Sequence, residues 1–203
     1  MSSDADLTLE VIPNGTGLVL DLGGSKGMLR QRLEGRGYRY INLDVCCFGN
    51  GEPSLIGDAH RLPFKDASLD MVISKDTLEH FLEPWVAAKE VHRVLKQEGR
   101  FIIWVPFMHP FHGDDFYRYS PIGLEHLLQD FDLIAFDSPL WIFTVVGLAV
   151  VEGLKRVRLG FTEQPIKQLC GSLDRLFMQR HKRPSSFAAA YRIIACKRNN
   201  GRQ

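Results

Sequence analysis

Leu18-Val19-Leu20-Asp21-Leu22-Gly23-Gly24-Ser25-Lys26-Gly27 is the stretch that decides the fold. Its first half is a short apolar run, the pattern of a buried strand, and its glycines turn the chain sharply out of that strand. Outward from there, Met28–Leu33 reads as a helix stopped by Gly35 and Gly37, and Tyr38–Asp44 as a second strand. Further strands are expected at Leu55-Ile56, Leu69–Ser74, Phe101–Val105, Phe131–Phe136 and Ala189–Cys196. Pro84 opens a helix running to about Lys96, and Ser120-Pro121 supplies the cap and first position of another ending near Gln129. Strands alternating with helices argue an α/β fold: a mostly parallel sheet covered on both faces. The chain of 203 residues is expected to be one domain, 1–203. Between the last two strands lie some fifty residues that read as helix, and 139–183 is expected to be a helical lid or insertion within that domain.

Composition is that of a globular chain, with 45% hydrophobic and 24% charged residues. The polar, acidic start Met1–Asp6 is a poor secretory signal. The four cysteines, at 46, 47, 170 and 196, have no metal-site spacing and point to a reducing cytoplasm. A net charge of +1 gives no reason to expect nucleic acid. Charge is unevenly placed, however: residues 152–203 carry twelve Lys/Arg against three Asp/Glu, on an otherwise acidic body.

In an open α/β sheet, ligands bind beyond the carboxyl ends of the strands. The turn after the first strand is no dinucleotide fingerprint, because Ser25 and Met28 stand where GxGxxG needs glycine. No phosphate-binding GxxxxGK[ST] occurs either. Asp21 would repel a pyrophosphate and welcome a cation, and S-adenosylmethionine is such a ligand, with an ammonium and a sulfonium. Asp44 stands about 20 residues past the glycines, the spacing at which an acid accepts ribose hydroxyls. Asp58, in Gly57-Asp58-Ala59-His60, can accept from an adenine amino group while a backbone amide near Ala59 meets the ring.

With these residues in view, the sequence resembles the class I methyltransferases, especially the type 11 group. The resemblance is carried by residues 19–27, Asn42-Leu43-Asp44, Gly57–Phe64, Ser68–Ser74, Leu78-Glu79-His80 and Glu90–Arg100. It implies a seven-stranded Rossmann-like sheet with an antiparallel last strand, and S-adenosylmethionine as cofactor. It also implies cofactor contacts along Asp21, Gly23, Gly24, Ser25, Gly27, Asp44, Asp58, Ala59, His60 and Ser74. One departure stands out: Ser25 occupies the middle glycine position of the group's turn.

The acceptor side is expected in the loop Phe107–Ser120. A hydroxyl acceptor gains from a general base, and His112 is the candidate, oriented by Asp115. Arg118 would grip an anionic group, with His109, Tyr117 and Tyr119 lining the acceptor site. Asp115 and Arg118 could equally form a structural ion pair at i, i+3, with the aromatics in the core. A metal is not expected, since histidines and carboxylates this close usually hydrogen-bond one another. The His-x-x-Asp-x-x-Arg-Tyr-Ser loop resembles type 11 members acting on surface glycans and natural products, which implies a small-molecule or glycan acceptor methylated at a hydroxyl oxygen. The rival reading is a non-catalytic module that keeps the cofactor fold.

The apolar stretch from Pro139 to Val151 is too short to span a bilayer, and Lys155, Arg156 and Arg158 follow it. A buried lid or homodimer helix, apolar all round because covered all round, is the leading expectation. Peripheral contact of 139–158 with the inner face of a membrane is the alternative.

Overall fold

A computed structural model describes residues 4–47, 54–111, 113–156, 163–178 and 184–198. Strands β1 (Leu18–Leu22), β2 (Arg39–Asp44), β3 (Leu55–Ile56), β4 (Leu69–Lys75), β5 (Leu95–Pro106), β6 (Phe131–Leu140) and β7 (Ala190–Lys197) form one sheet in the order β3-β2-β1-β4-β5-β7-β6. The first five run parallel, and β7 is antiparallel to both β5 and β6. This is the expected Rossmann-like, seven-stranded architecture, and the strand order reverses beside β1.

Alternation along the strands explains why both faces are covered. Leu20, Leu22, Val72, Phe101 and Ile103 pack on one face against Ala87, Val91 and Val94 of α3 (Pro84–Val94) and Leu124 of α4 (Pro121–Leu127). Val19, Met71, Ile73 and Ile102 turn to the other face, against Leu29 at the start of α2 (Arg30–Glu34), Leu33 within it and Leu9 of α1 (Asp4–Leu9). Helix α1 was hidden by its polar start; Leu9 and Ile12 are buried, and the Arg192 guanidinium on β7 donates to the Leu7 carbonyl at 2.7 Å.

Two helix boundaries differ from the sequence reading, each for a local reason. Residues 24–29 stay a turn, because Ser25 (φ 49°) and Gly27 (φ 71°) are left-handed and Gly27 N–H bonds back to Gly24 O. Helix α3 stops at Val94 rather than near Lys96: Leu95 is extended, pairing with Leu69, and the amides of Ala67 and Ser68 take the Arg93 and Val94 carbonyls. Ser120 caps α4 as expected, accepting from Gly123 N at 3.1 Å.

The segment between β6 and β7 holds α5 (Ile142–Arg156) and α6 (Glu163–Met178), packed on each other. Gly147 makes that contact close, since a Cβ there would lie 2.6 Å from Cys170 Sγ. α5 is not covered all round: it buries Gly147, Leu148 and Val151, while Val146 and Val150 stand exposed. Among the described residues, no helix is long and apolar enough to cross a membrane.

One side chain joins the pair. Asp174 of α6 is fully buried and accepts the amides of Trp141 (2.8 Å), Phe143 (3.0 Å) and Thr144 (3.0 Å) at the start of α5. A carboxylate there satisfies orphan donors and sits favourably at a helix N-terminus. Asp174→Ala should cost about 1–2 kcal/mol, the range for loss of a helix cap. Hydrogen exchange should quicken over the first turn of α5; unchanged protection there would show that the carboxylate does not hold the helix.

Candidate active site

The glycine turn is locked before any ligand arrives. Asp21 and Asn42 are register partners at the ends of β1 and β2. Ser25 N–H donates to Asp44 Oδ2 at 3.0 Å, and Asn42 Nδ2 donates to the Ser25 carbonyl at 2.7 Å. Gly23 N–H bonds to the Leu43 carbonyl, and a Cβ on Gly23 would lie 2.1 Å from the Thr77 methyl. On Gly24 it would meet Asn42 Oδ1 and Asp21 Cγ at 2.5 Å. Gly23, also at φ 71°, is crowded by Thr77 down to its Cβ, and a side chain at Gly24 would have to displace the Asn42 amide and the Asp21 carboxylate. Ser25 itself adopts φ 49°, the left-handed region that glycine favours, so the departure at this position keeps the turn's geometry at some strain.

Three carboxylates follow at the strand ends. Asp21 is buried, accepts from the Tyr40 hydroxyl at 2.6 Å, and is pushed up to about 6 by burial. The Tyr40 bond and the Lys75 ammonium oppose that rise. Asp44 accepts one backbone amide on each oxygen, from Ser25 and from Val45, and each oxygen has a second lone pair to offer. Asp58 is exposed; His60 folds over it, with its amide and Nδ1 at 2.9 and 2.6 Å from the same carboxylate oxygen, which holds Asp58 below the usual range. Ala59 beside it is buried. A bracket behind this loop fixes it: Arg93 of α3 grips Glu90 through two bonds of 2.7 Å and donates to the carbonyls of Leu62 and Phe64, while Glu90 accepts from Leu62 N.

A cleft of about 710 Å³ opens beside the turn, between Asp21, Gly23 and Gly24 on one side and α5 and α6 on the other. Lys75 and Asp76, paired to each other, line it. Ser74 does not: it is fully buried within the sheet, its hydroxyl without a partner among the described residues. The sequence reading stopped one residue short of the side chains that reach the cleft.

The loop after β5 divides into three. His109 lines the cleft, its Nδ1 3.0 Å from the Pro110 carbonyl. His112 lies outside the described residues. Asp115, Tyr117, Arg118 and Tyr119 are turned elsewhere. Asp115 pairs with Arg118 at i, i+3 and sits 3.2 Å from His80 Nδ1. Tyr117 donates to the Leu82 carbonyl, and Tyr119 is in the core, donating to the Leu78 carbonyl at 2.8 Å. The two rings stack at 5.7 Å along a separate hollow between α3 and α4. Arg118 and Tyr119 are thus structural, as their spacing and aromatic character allowed, and neither faces the cleft.

Glu79 of the Leu78-Glu79-His80 motif stands apart from the cleft lining. It is fully buried on the short 3-10 turn Leu78–His80, and its backbone carbonyl accepts the Phe116 and Tyr117 amides. Glu79, His80 and Asp115 each offer a ligand atom within 4.8 Å of the others, and Arg118 already supplies a cation to this group through Asp115. Nothing in Leu78-Glu79-His80 signals that burial, because the covering residues come from the loop some thirty-five positions away.

Residues 20–103 match the family model of a methyltransferase domain. An uncharacterized methyltransferase of Mycobacterium sp. (strain KMS) is 29% identical over 128 residues, 59% of this chain and 48% of its own. The chain spans about half the length of the curated relatives it matches there. YcgJ of Bacillus subtilis (strain 168), also an uncharacterized methyltransferase, is 45% identical over 47 residues, 23% of this chain and 19% of its own. Its crystal structure superposes with a TM-score of 0.61 at 19% identity, covering 96% of this chain and 97% of that one. The [4+2]-cyclase SpnF shares the fold at a TM-score of 0.65 and 17% identity, over 95% of this chain and 79% of that one. Residues 20–103 thus match a methyltransferase domain in sequence, and the strand order and locked turn around them give the Rossmann-like fold of such domains.

Glu79 is pushed up to about 8, chiefly by burial, with Asp76 and Asp115 adding repulsion. The folded chain therefore holds a proton that the unfolded chain releases above about pH 4.5, so this group weakens the fold as pH rises from there through about 8. Glu79→Gln should raise the melting temperature by several degrees at pH 8.5 and by little at pH 5. An equal change at both values would mean that the carboxyl does not titrate with folding.

Proposed function

We propose that the protein transfers a methyl group from S-adenosylmethionine to a hydroxyl oxygen of a small-molecule or glycan acceptor. The observation that carries this reading is the placement of His109 on the same cleft as Asp21 and the two closely packed glycines. The residues present fit the cofactor: an acid faces the cleft for its ammonium, a second acid with open lone pairs ends β2, and the turn backbone is bare of side chains. In this reading Asp21 holds the ammonium, Gly23, Gly24, Ser25 and Gly27 bring the backbone close, and Asp44 accepts the ribose hydroxyls. Asp58, Ala59 and His60 border the adenine, and buried Ser74 acts only through the strand that carries Lys75.

S-adenosylmethionine supplies a methyl group on a sulfonium that leaves as a neutral thioether. The chain's task is to align the acceptor and to take up the proton lost as the new oxygen–carbon bond forms. His109 Nδ1 lies against the Pro110 carbonyl, which accepts its hydrogen and makes Nε2 the proton-accepting nitrogen. His109 is therefore offered as a base beside His112, with Asp115 committed to His80 and Arg118.

Two measurements test the reading. A buried acid pushed up to about 6 loses its charge on acidification, so S-adenosylmethionine should bind about tenfold more weakly for each pH unit below 6. Calorimetry from pH 7.5 to 5 checks this, and Asp21→Asn should flatten the profile; a flat profile in the unmodified protein removes Asp21 from the ammonium. Methyl-labelled cofactor offered with a panel of hydroxylated metabolites and glycans should then label an acceptor. His109→Gln should lower kcat about a hundredfold, within the range for loss of a general base, with cofactor affinity kept. Tight cofactor binding with no label in any acceptor would favour the non-catalytic module.

A further inference from the structure

Helix α6 carries its polarity on the side where a lid would be expected to be apolar. Gln164, Lys167, Gln168, Gly171, Ser172 and Arg175 fall at helical spacing on one stripe, and all of them line the cleft. Leu169 and Leu176 point the other way and are 63% and 67% exposed. A helix that merely covered a site would turn its leucines inward. Here the inward stripe is made of donors and cations.

The charges facing the cleft are unevenly matched. Lys75 is paired with Asp76, and Lys167 is shared with Glu163 at the start of its own helix. Arg175 donates to the Ser172 hydroxyl at 3.2 Å and meets no carboxylate among the described residues. Asp21 lies across the cleft, where the proposed cofactor supplies its counter-charge, and His109 lines it too. Gly171, midway along the stripe, has open space where a Cβ would be. Any ligand between the glycine turn and α6 therefore meets a cationic, hydrogen-bonding wall on the α6 side.

We infer that this stripe of α6 recognises the acceptor, and that the acceptor carries a phosphate or carboxylate group held by Arg175, with Lys167, paired to Glu163, offering its remaining ammonium donors. The inference rests on the methyl-transfer reading and names its substrate class. A guanidinium offers a planar fork that matches either anion. The anion also lies opposite the cationic methyl donor, so cofactor and acceptor attract one another across the cleft. Arg118, the anion grip expected from the sequence, is taken by Asp115, and α6 supplies what it does not.

The test titrates pyrophosphate and glucose 6-phosphate calorimetrically into the full chain, with and without saturating S-adenosylhomocysteine, with glucose as the neutral control. At least one anion should bind saturably, more weakly as salt rises, and glucose should not. The double variant Arg175→Gln/Lys167→Gln, altered only at exposed side chains, should weaken anion binding about tenfold or more, as charge-assisted bonds are lost. Arg156→Gln removes a positive charge from α5 away from the cleft lining and should change nothing. Binding of neither anion, or binding undiminished in the double variant, overturns the inference. If S-adenosylhomocysteine fails to bind while the anions still do, the methyl-transfer reading falls and the cationic wall stands.

Discussion

The molecule depends on one narrow passage of backbone, where the chain leaves β1 between Asp21, Asn42 and Thr77. Cβ atoms at positions 23 and 24 would come within 2.1 and 2.5 Å of those neighbours. The chain is then caught by the Asp44 carboxylate on Ser25 N and by the Asn42 amide on Ser25 O. Because those two bonds come from β2, the turn is set by strand pairing and not by its own sequence alone. The same bonds hold Ser25 in a left-handed conformation, so a serine serves where glycine would be easier. The cleft exists because this turn stays open beside the strand ends.

Two charge networks then place the loops around it. The Arg93–Glu90 bracket fastens the segment after β3, so that Asp58 and His60 stand on fixed backbone. On the other side, Asp115 joins Arg118 and His80, while buried Glu79 takes two amides of the same loop on its backbone. The polar residues of that loop thus do two jobs. Most of them shape it, and His109 reaches the cleft.

α5 and α6 close the third side, joined by Asp174 at the α5 N-terminus and by close packing at Gly147. Their placement gives the cleft an acidic wall at the sheet edge and a basic wall on α6. That separation of charge suits a cationic donor on one side and an anionic partner on the other. The basic excess of residues 152–203 is partly this wall.

Much of this was written into the order of residues. Apolar runs ending in glycine, the acids at 21, 44 and 58, and the prolines and serine that start α3 and α4 are local signals, and local signals specify strands, turns and helix starts. They sufficed for the sheet and for the turn. Local sequence could not show that α1 packs under the sheet, that Glu79 is sealed from water, or that Lys75 and not Ser74 reaches the cleft. Nor could it show which residues of the Phe107–Ser120 loop face the acceptor, because Asp115, Arg118 and Tyr119 look equally fit for catalysis and for packing. Those assignments turn on burial and on partners tens of residues away, such as His80 for Asp115 and Leu78 for Tyr119. Residue type and spacing determined the elements and the chemistry on offer; only the folded chain decided which groups keep that chemistry free, because desolvation and pairing are properties of the assembled neighbourhood.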